Sequence, residues 1–158
     1  MNHEFYIKEC ISLAKRSKEY GEIPVGALLL KNNKIISKAH NTSISLSDPT
    51  GHAEINVIRD ACKKINNYRI NNAVLYVSLE PCLMCISAIC EARIENVVFG
   101  AYADHNKNAQ SKFNYVKNKF KLNHTPKFIG GILEDECSLL IKNFFNLNNG
   151  RCFLTSDQ

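Results

Sequence analysis

The sequence predicts an α/β domain in which one β-sheet carries helices on both faces. Strand patterns alternate with helix patterns after an initial hairpin, and this order is typical of a sheet covered by helices. The chain has 158 residues, of which 45% are hydrophobic and 22% charged, as in an average globular domain. This length corresponds to one domain, so we expect residues 1–158 to fold as a unit without disulfide support.

The first half of the chain predicts a helix, a hairpin and a second helix. Apolar residues at helical spacing from Tyr6 to Ser17 predict an amphipathic helix that ends near Gly21. Two short apolar runs, Val25–Leu30 and Ile35–Ile36, flank a polar turn and predict a β-hairpin. A polar loop from His40 to Pro49 then leads into the second helix. Its apolar stripe consists of Ile55, Ile58, Cys62 and Ile65.

The second half predicts three strands that alternate with helices, because β-branched and aromatic residues favour strands. The strands are expected at Val74–Leu79, Val97–Ala101 and Phe128–Ile132. Pro81 favours a short helix over Cys82–Ala92, since proline suits the first helical turn. Further helices are expected near Gln110–Lys119 and over Leu133–Phe145. The apolar stripe of the last helix consists of Cys137, Leu140, Ile141, Phe144 and Phe145.

The cysteine content bears on the cellular compartment. Seven cysteines, an odd number, occur without a secretion signal and without an apolar segment long enough to span a membrane. Such cysteines are expected to be reduced thiols. The sequence therefore predicts a cytoplasmic protein with no membrane association.

The net charge of +5 is concentrated in one segment. Between His105 and Lys127 there are six lysines and no acidic residue, and Phe113, Tyr115 and Phe120 lie between the lysines. Basic and aromatic side chains together suit phosphate contact and base stacking. RNA contacts are therefore expected from Lys107, Lys112, Lys117, Lys119 and His124. The alternative is a solvated helix face whose aromatic side chains pack inward.

Two short motifs bring together the residue types of a zinc site. His52-Ala53-Glu54 begins one predicted helix, and Pro81-Cys82-Leu83-Met84-Cys85 begins another. Cys82 and Cys85 lie three residues apart, so both sulfur atoms lie on one face of their helix. The dipole and free N–H groups of a helix N-terminus favour thiolates. One imidazole and two thiolates form a donor set that suits zinc.

The residue pattern favours a catalytic zinc over a structural one. Three protein ligands leave the fourth tetrahedral position open for water. Glu54 lies two residues after His52, where a carboxylate can take a proton from water and pass it to a substrate. The alternative is a structural zinc with Cys62 or Cys90 as fourth ligand, which would hold no water. The combination H-x-E with P-C-x-x-C is a known signature of zinc nucleobase deaminases.

Further short stretches flank these motifs between about Tyr6 and Phe145. They are Glu22–Ala27, His40-Asn41, Asp48–Glu54, Leu79–Cys85, Arg93-Ile94, Val97–Ala101, Gly131–Leu133 and Asp135–Cys137. In these stretches the chain resembles the bacterial tRNA-specific adenosine deaminases of the cytidine-deaminase-like superfamily. The zinc motif is common to the whole superfamily, whereas the flanking stretches favour the tRNA enzymes.

The resemblance implies a three-layer α/β/α fold of the cytidine-deaminase type, with a mixed five-stranded sheet. It implies a homodimer with one zinc ion per subunit, which converts adenosine to inosine at the wobble position of a tRNA anticodon. An arginine tRNA is the expected substrate. At the matching positions, the zinc ligands are His52, Cys82 and Cys85, and the catalytic residue is Glu54. The adenine lies between the positions of Val25 and His52, and Asn41 hydrogen-bonds it. The backbone N–H of Ala53 is a further expected contact to the base. By itself, Asn41 is equally compatible with a simple turn residue.

One loop departs from the family pattern. After Phe99-Gly100-Ala101 the family has an aspartate two residues later and then a glycine-rich stretch, whereas here the aspartate is displaced to Asp104 and the glycines are absent. We therefore expect altered RNA contacts from Tyr102 to Ser111. The second candidate function is deamination of guanine, cytosine or a nucleoside by the same chemistry. The third is a non-catalytic, zinc-stabilised RNA-binding module.

Overall fold

The computed structural model describes residues 2–103, 113–114, 117–119 and 122–148. The strands are β1 (Gly26–Lys31), β2 (Lys34–His40), β3 (Ala73–Leu79), β4 (Asn96–Ala101) and β5 (Lys127–Ile129). The long helices are α1 (His3–Glu19), α2 (Ala53–Ile65), α3 (Leu83–Glu91) and α4 (Glu134–Asn148). The strands form one sheet in the order β2-β1-β3-β4-β5. β1 is antiparallel to both of its neighbours, whereas β3, β4 and β5 are parallel.

Helices cover both faces of this mixed sheet, which confirms the predicted three-layer α/β/α fold. α2 and α3 pack on one face, against Leu29 and Leu75. α1 and α4 pack on the other face, against Leu28 and Tyr76. Successive residues of a strand point to opposite faces, so a strand covered on both faces is apolar at every position. This explains the continuous apolar run at Ala27–Leu30.

The predicted hairpin closes on a two-residue turn, Asn32-Asn33. Both residues have a positive φ, of 51° and 59°, as in a type I′ turn, whose twist matches that of the strands it joins. Asparagine adopts this left-handed conformation more readily than most residues, because its short polar side chain can form local hydrogen bonds. The polar turn that the sequence predicts therefore has a local conformational cause.

Two predictions at the C-terminal end are wrong in detail. β5 ends at Ile129 rather than Ile132, because the chain turns at Gly131 (φ 83°) and Leu133 (φ 54°). Phe145 is 50% exposed, although Phe144 is buried. Neighbouring residues of a helix lie about 100° apart around its axis, so the buried face of α4 includes only one of the two rings.

The basic segment is described only in part. Residues 113–114 and 117–119 are helical, and the rest of the helix predicted near Gln110–Lys119 lies outside the described residues. Phe113 is buried, and its ring centroid lies 5.0 Å from that of Phe128. Phe113 therefore packs inward and is not available for base stacking, as the alternative interpretation of this segment predicted. Tyr115 and Phe120 lie outside the described residues.

The described cysteines are free thiols. Most of them are buried, namely Cys10, Cys85, Cys90 and Cys137, and Cys152 lies outside the described ranges. Within those ranges, no helix combines the length and the apolar character that crossing a membrane requires.

Gly26 of β1 lies in close contact with α1. A Cβ atom at this position would overlap the backbone oxygen of Cys10 and lie only 2.6 Å from the Cβ of Leu13. We expect Gly26→Ala to lower the free energy of unfolding by about 1–3 kcal/mol, because overpacking forces the helix away from the strand. Urea denaturation measures this loss of unfolding free energy. Gly21→Ala is the control, because a Cβ at position 21 would meet no other atom. The only expected cost of that substitution is the strain of an alanine at a positive φ. A smaller loss at Gly26 than at Gly21 would contradict the close packing.

Candidate active site

The topology brings the starts of α2 and α3 to one edge of the sheet. α3 connects the parallel strands β3 and β4, so it begins where β3 ends. α2 connects β2 to β3, and these two strands run in the same direction because each is antiparallel to β1. α2 therefore begins where β2 ends, at the same edge. The carboxyl edge of parallel strands is the usual place for ligand sites in α/β folds. Neither helix has a side-chain cap at its N-terminus.

Three donor atoms form a compact cluster at this edge. His52 Nδ1 lies 3.6 Å from Cys82 Sγ and 3.5 Å from Cys85 Sγ, and the two sulfur atoms are 3.6 Å apart. Tetrahedral zinc, with bonds of about 2.3 Å to sulfur and 2.0–2.1 Å to nitrogen, separates two sulfur ligands by about 3.8 Å and sulfur from nitrogen by about 3.6 Å. The three donor atoms are therefore spaced as zinc requires. Nδ1 is the imidazole nitrogen that faces the sulfur atoms.

Among the described residues, no fourth metal-binding side chain joins this cluster. The Cys62 thiol donates instead to the backbone oxygen of Tyr68, at 3.5 Å. Cys90 is buried in a separate apolar cluster with Ile86 and Phe113. The structural-zinc alternative, which requires Cys62 or Cys90 as a ligand, therefore has no support from their positions.

The two cysteines of the cluster have pKa values shifted in opposite directions. The hydrogen bond between the two cysteine side chains lowers the pKa of Cys82 to about 5, and the backbone N–H groups at the start of α3 act in the same direction. The same hydrogen bond, together with burial, raises the pKa of Cys85. One proton thus leaves the pair readily, and a bound cation would displace the second.

Glu54 lies in the first turn of α2 and is only 4% exposed. Burial raises the pKa of its carboxyl to about 7, and the negative charge of Cys82 acts in the same direction. Glu54 and Cys85 lie close enough for each to shift the pKa of the other. Glu54 therefore lies beside the cluster without being one of its three donors. A carboxyl whose pKa is near neutrality suits a role in which it must both accept and release a proton.

The residues predicted to hold a base lie next to the start of α2. The backbone N–H of Asn41 donates to the backbone oxygen of Val25 at 3.0 Å, and that of Thr42 donates to Gly51 at 2.8 Å. Ala53 is the first residue of α2 and is fully buried. The structure thus brings Val25, Asn41 and Ala53 into one neighbourhood.

Asn56 anchors the loop that carries Asn41, and sequence reasoning missed it. Its Nδ2 lies 3.0 Å from the backbone oxygen of His40, 2.9 Å from Thr42 Oγ1 and 3.2 Å from the backbone oxygen of Gly51. Asn56 follows His52 by one helical turn, so it ties the loop to the helix that begins at the cluster. The four-residue spacing between His52 and Asn56 was the feature of the sequence that could have indicated this role.

Glu22 is a second residue that sequence reasoning left without a role. Its side chain is fully buried and accepts hydrogen bonds from Asn41 Nδ2 at 2.9 Å and from the backbone N–H of Ser45 at 2.6 Å. The signal was an acidic residue three residues before the apolar run Val25–Leu30, within one of the stretches that carry the family resemblance.

The residues predicted to contact RNA are described in part. Lys117 and Lys119 are exposed. His124 Nε2 lies 2.8 Å from the backbone oxygen of Ile94, so this ring nitrogen is engaged within the fold. The predictions for Lys107, Lys112 and all but the first two residues of the loop Tyr102–Ser111 lie outside the described residues.

Comparison with known proteins establishes the family. Residues 1–101 match the model of the cytidine and deoxycytidylate deaminase zinc-binding region. The tRNA-specific adenosine deaminase of Buchnera aphidicola subsp. Baizongia pistaciae is 46% identical over 145 residues, which cover 90% of this chain and 87% of that protein. The chain belongs to the tRNA-specific adenosine deaminase family. Because the matched zinc-binding region contains His52, Cys82 and Cys85, zinc is the cofactor of this deaminase.

Solved structures support the assignment of the fold. A structure from a study of A-to-I editing by tRNA:A34 deaminases at the wobble position of transfer RNA has a TM-score of 0.79 and 33% identity to this deaminase, covering 86% of this chain and 98% of that one. The guanine deaminase of Bacillus subtilis has a TM-score of 0.63 and 30% identity, covering 100% of this chain and 99% of that one.

Proposed function

We propose that this protein converts adenosine to inosine at the wobble position of a tRNA anticodon. The observation that carries the proposal is the three-donor zinc cluster with Glu54 beside it, in a chain of the tRNA-specific adenosine deaminase family. We further propose that residues 1–158 act as one deaminase domain, that the enzyme is a cytoplasmic homodimer, and that an arginine tRNA is its substrate.

The reaction replaces the amine at C6 of adenine by oxygen. The oxygen of water forms a bond to C6, the bond from C6 to the exocyclic nitrogen breaks, and ammonia leaves. Zinc held by His52, Cys82 and Cys85 would act as a Lewis acid that lowers the pKa of water toward neutrality. Glu54 takes one proton from the attacking water and delivers it to the departing nitrogen, and the second proton of the water ends on N1 of the product base. The burial of Glu54 keeps bulk water from competing for that proton.

The base must leave its stack to reach this site, because C6 is inaccessible inside a stacked anticodon. We propose that Asn41 hydrogen-bonds the extruded base, since an amide offers both a donor and an acceptor to a purine edge. Val25 packs against the base, and the backbone N–H groups at the uncapped start of α2, near Ala53, donate to it.

The basic segment between His105 and Lys127 is the proposed contact for the tRNA backbone. Lys117 and Lys119 are exposed, as phosphate contact requires. Phe113 does not take part, because it is buried. We propose the same phosphate-contact role for Lys107 and Lys112, and a secondary contact for the remaining ring nitrogen of His124.

Wobble inosine is the decisive product. We expect the zinc-loaded protein to convert the wobble adenosine of a full-length arginine tRNA to inosine, which is read as guanosine on sequencing. The matched substrate control is the same tRNA with cytidine at the wobble position, which should remain unchanged. Full-length tRNA that gains no inosine with zinc-loaded protein would exclude the proposed function.

Guanine is the second candidate substrate, favoured by the likeness to the Bacillus subtilis guanine deaminase. Ammonia release from free guanine, cytosine and nucleosides, measured beside the tRNA reaction, separates the two functions. Faster release from a free base than from tRNA would favour the small-molecule enzyme. Absence of turnover on every substrate would favour the RNA-binding module.

A further inference from the structure

One buried carboxylate has no part in the chemistry proposed above. Glu22 lies four residues before β1 and is fully buried. Its two oxygen atoms accept separate hydrogen bonds: Oε2 from Nδ2 of Asn41 at 2.9 Å, and Oε1 from the backbone N–H of Ser45 at 2.6 Å. Burying a carboxylate is costly unless such donors compensate it. Both donors belong to the loop that leads to the zinc cluster.

The carboxylate fixes the orientation of the Asn41 amide. Burial raises the pKa of Glu22, but the hydrogen bonds from Ser45 and Asn41 outweigh burial and hold the pKa below its usual value. Glu22 is therefore ionised at neutral pH and can only accept hydrogen bonds. The NH₂ group of Asn41 must face Glu22, so Oδ1 points away from the carboxylate and the second N–H remains for another partner.

The backbone around Asn41 is fixed from the other side. Its N–H donates to Val25 at 3.0 Å, and Asn56 binds the backbone oxygen of His40 at 3.0 Å. Asn56 lies one turn after His52 in α2. The position of the Asn41 backbone is thus tied to the helix that begins at the zinc cluster, and Glu22 adds the orientation of the side chain.

We propose that Glu22 is a positioning residue for base recognition: it selects one orientation of the Asn41 amide, and thereby the donor and acceptor that Asn41 presents to the extruded nucleoside. The inference rests on the proposed function and deepens it, since Asn41 is the proposed base contact. Glu22 itself touches no substrate. A fixed donor and acceptor discriminate among bases better than an amide free to rotate.

A double-mutant cycle tests the proposal. In Glu22→Gln, the glutamine oxygen can accept the hydrogen bond from the Ser45 N–H only if the glutamine NH₂ group faces Asn41. The Asn41 amide must then rotate so that its oxygen, and no longer its NH₂ group, faces residue 22. We expect kcat/KM for wobble adenosine to fall by about 10- to 100-fold in Glu22→Gln. We expect Asn41→Ala to lose a similar factor, and the double variant to lose no more than Asn41→Ala alone, because both changes remove one function.

The controls separate positioning from general stability. Asp60→Asn changes a carboxylate on the outer part of α2 that accepts from Ser37 at 2.6 Å, and it should leave kcat/KM unchanged within a few-fold. Zinc content and Tm are measured for every variant. If the losses of Glu22→Gln and Asn41→Ala multiply in the double variant, Glu22 acts independently of Asn41 and the proposal is overturned.

A second readout does not depend on the reaction. In ¹⁵N NMR spectra, the side-chain NH₂ signal of Asn41, assigned by its loss in Asn41→Ala, should exchange slowly with solvent and should move in Glu22→Gln. An unmoved signal overturns the inference even if the enzyme is active. If the wild-type protein makes no inosine, the proposed function fails, and the NMR signal still decides whether Glu22 orients Asn41.

If Glu22→Gln does not fold, a variant that keeps Glu22 can still test the proposal. Asn41→Asp places two carboxylates against each other, so we expect both its Tm and its kcat/KM to lie below those of Asn41→Ala. Equal values for the two variants would show that Glu22 does not interact with side chain 41 and would overturn the proposal.

Discussion

Glu54→Ala should lower the deamination of wobble adenosine by about 10³- to 10⁴-fold while zinc remains bound. Positioned general acid–base groups contribute factors of this size, and Glu54 is the carboxyl that contacts the cluster without belonging to its three donors. Its pKa of about 7 lets the same carboxyl accept a proton from water and return it to the leaving nitrogen. Zinc is retained because His52, Cys82 and Cys85 are untouched.

The measurement pairs single-turnover inosine formation with zinc analysis. Glu54→Gln is the closer test, because glutamine keeps the size and polarity of the side chain but carries no exchangeable carboxyl proton. Asp60→Asn is the matched control: it alters a carboxylate six residues further along α2, hydrogen-bonded to Ser37 and Lys64. Near-wild-type activity in Glu54→Gln would exclude proton transfer by Glu54. Joint loss of zinc and activity would mean that Glu54 supports the metal instead.

The features that the sequence predicts well are local ones. The spacing of Cys82 and Cys85 places both sulfur atoms at one helix start, and the structure puts the two atoms 3.6 Å apart. The Asn32-Asn33 turn is also local, since the backbone preference of asparagine decides it. Helix and strand patterns were sufficient for the three layers, because a sheet covered on both faces needs continuous apolar strands.

The features that the sequence does not predict depend on contacts between distant residues. Glu22 meets Asn41 across 19 residues, and Asn56 meets His40 across 16. The spacing of Asn56 from His52 marks its place in α2, but no periodicity pairs Asn56 with His40 or Glu22 with Asn41, because each contact depends on how the loop folds over the start of α2. The choice of Nδ1 as the cluster-facing nitrogen of His52 likewise follows from the ring's orientation in the fold. At Phe144 and Phe145 both residues fit an apolar stripe, and only packing against the sheet decides which is buried.

Removal of one of the three proposed zinc ligands should abolish both metal binding and activity. Cys82→Ala leaves two donors of the three, too few to hold zinc against water and buffer. We expect zinc analysis to show far less than one equivalent per protein, and wobble inosine to fall below about 1% of the wild-type yield. Cys82 is exposed and lies just before α3, so the substitution itself removes little packing.

Stability should fall together with the metal, because zinc held by His52, Cys82 and Cys85 would tie the start of α2 to the start of α3. A ligand that is present at a thousandfold its Kd stabilises the folded state by about 4 kcal/mol. For a chain of this size, that corresponds to a Tm about 10 °C lower after chelation. Readdition of zinc should restore Tm and activity to the wild-type protein but not to Cys82→Ala.

Cys62→Ser and Cys90→Ala distinguish a three-ligand zinc from a four-ligand one. Cys62 binds the backbone of Tyr68 and Cys90 packs against Ile86 and Phe113, so we expect both variants to keep one equivalent of zinc and to deaminate tRNA. Loss of zinc from either variant would identify a fourth protein ligand, and the site would then have no position for water. Retention of zinc and activity in both, with loss of both in Cys82→Ala, is the pattern that a three-ligand catalytic site requires.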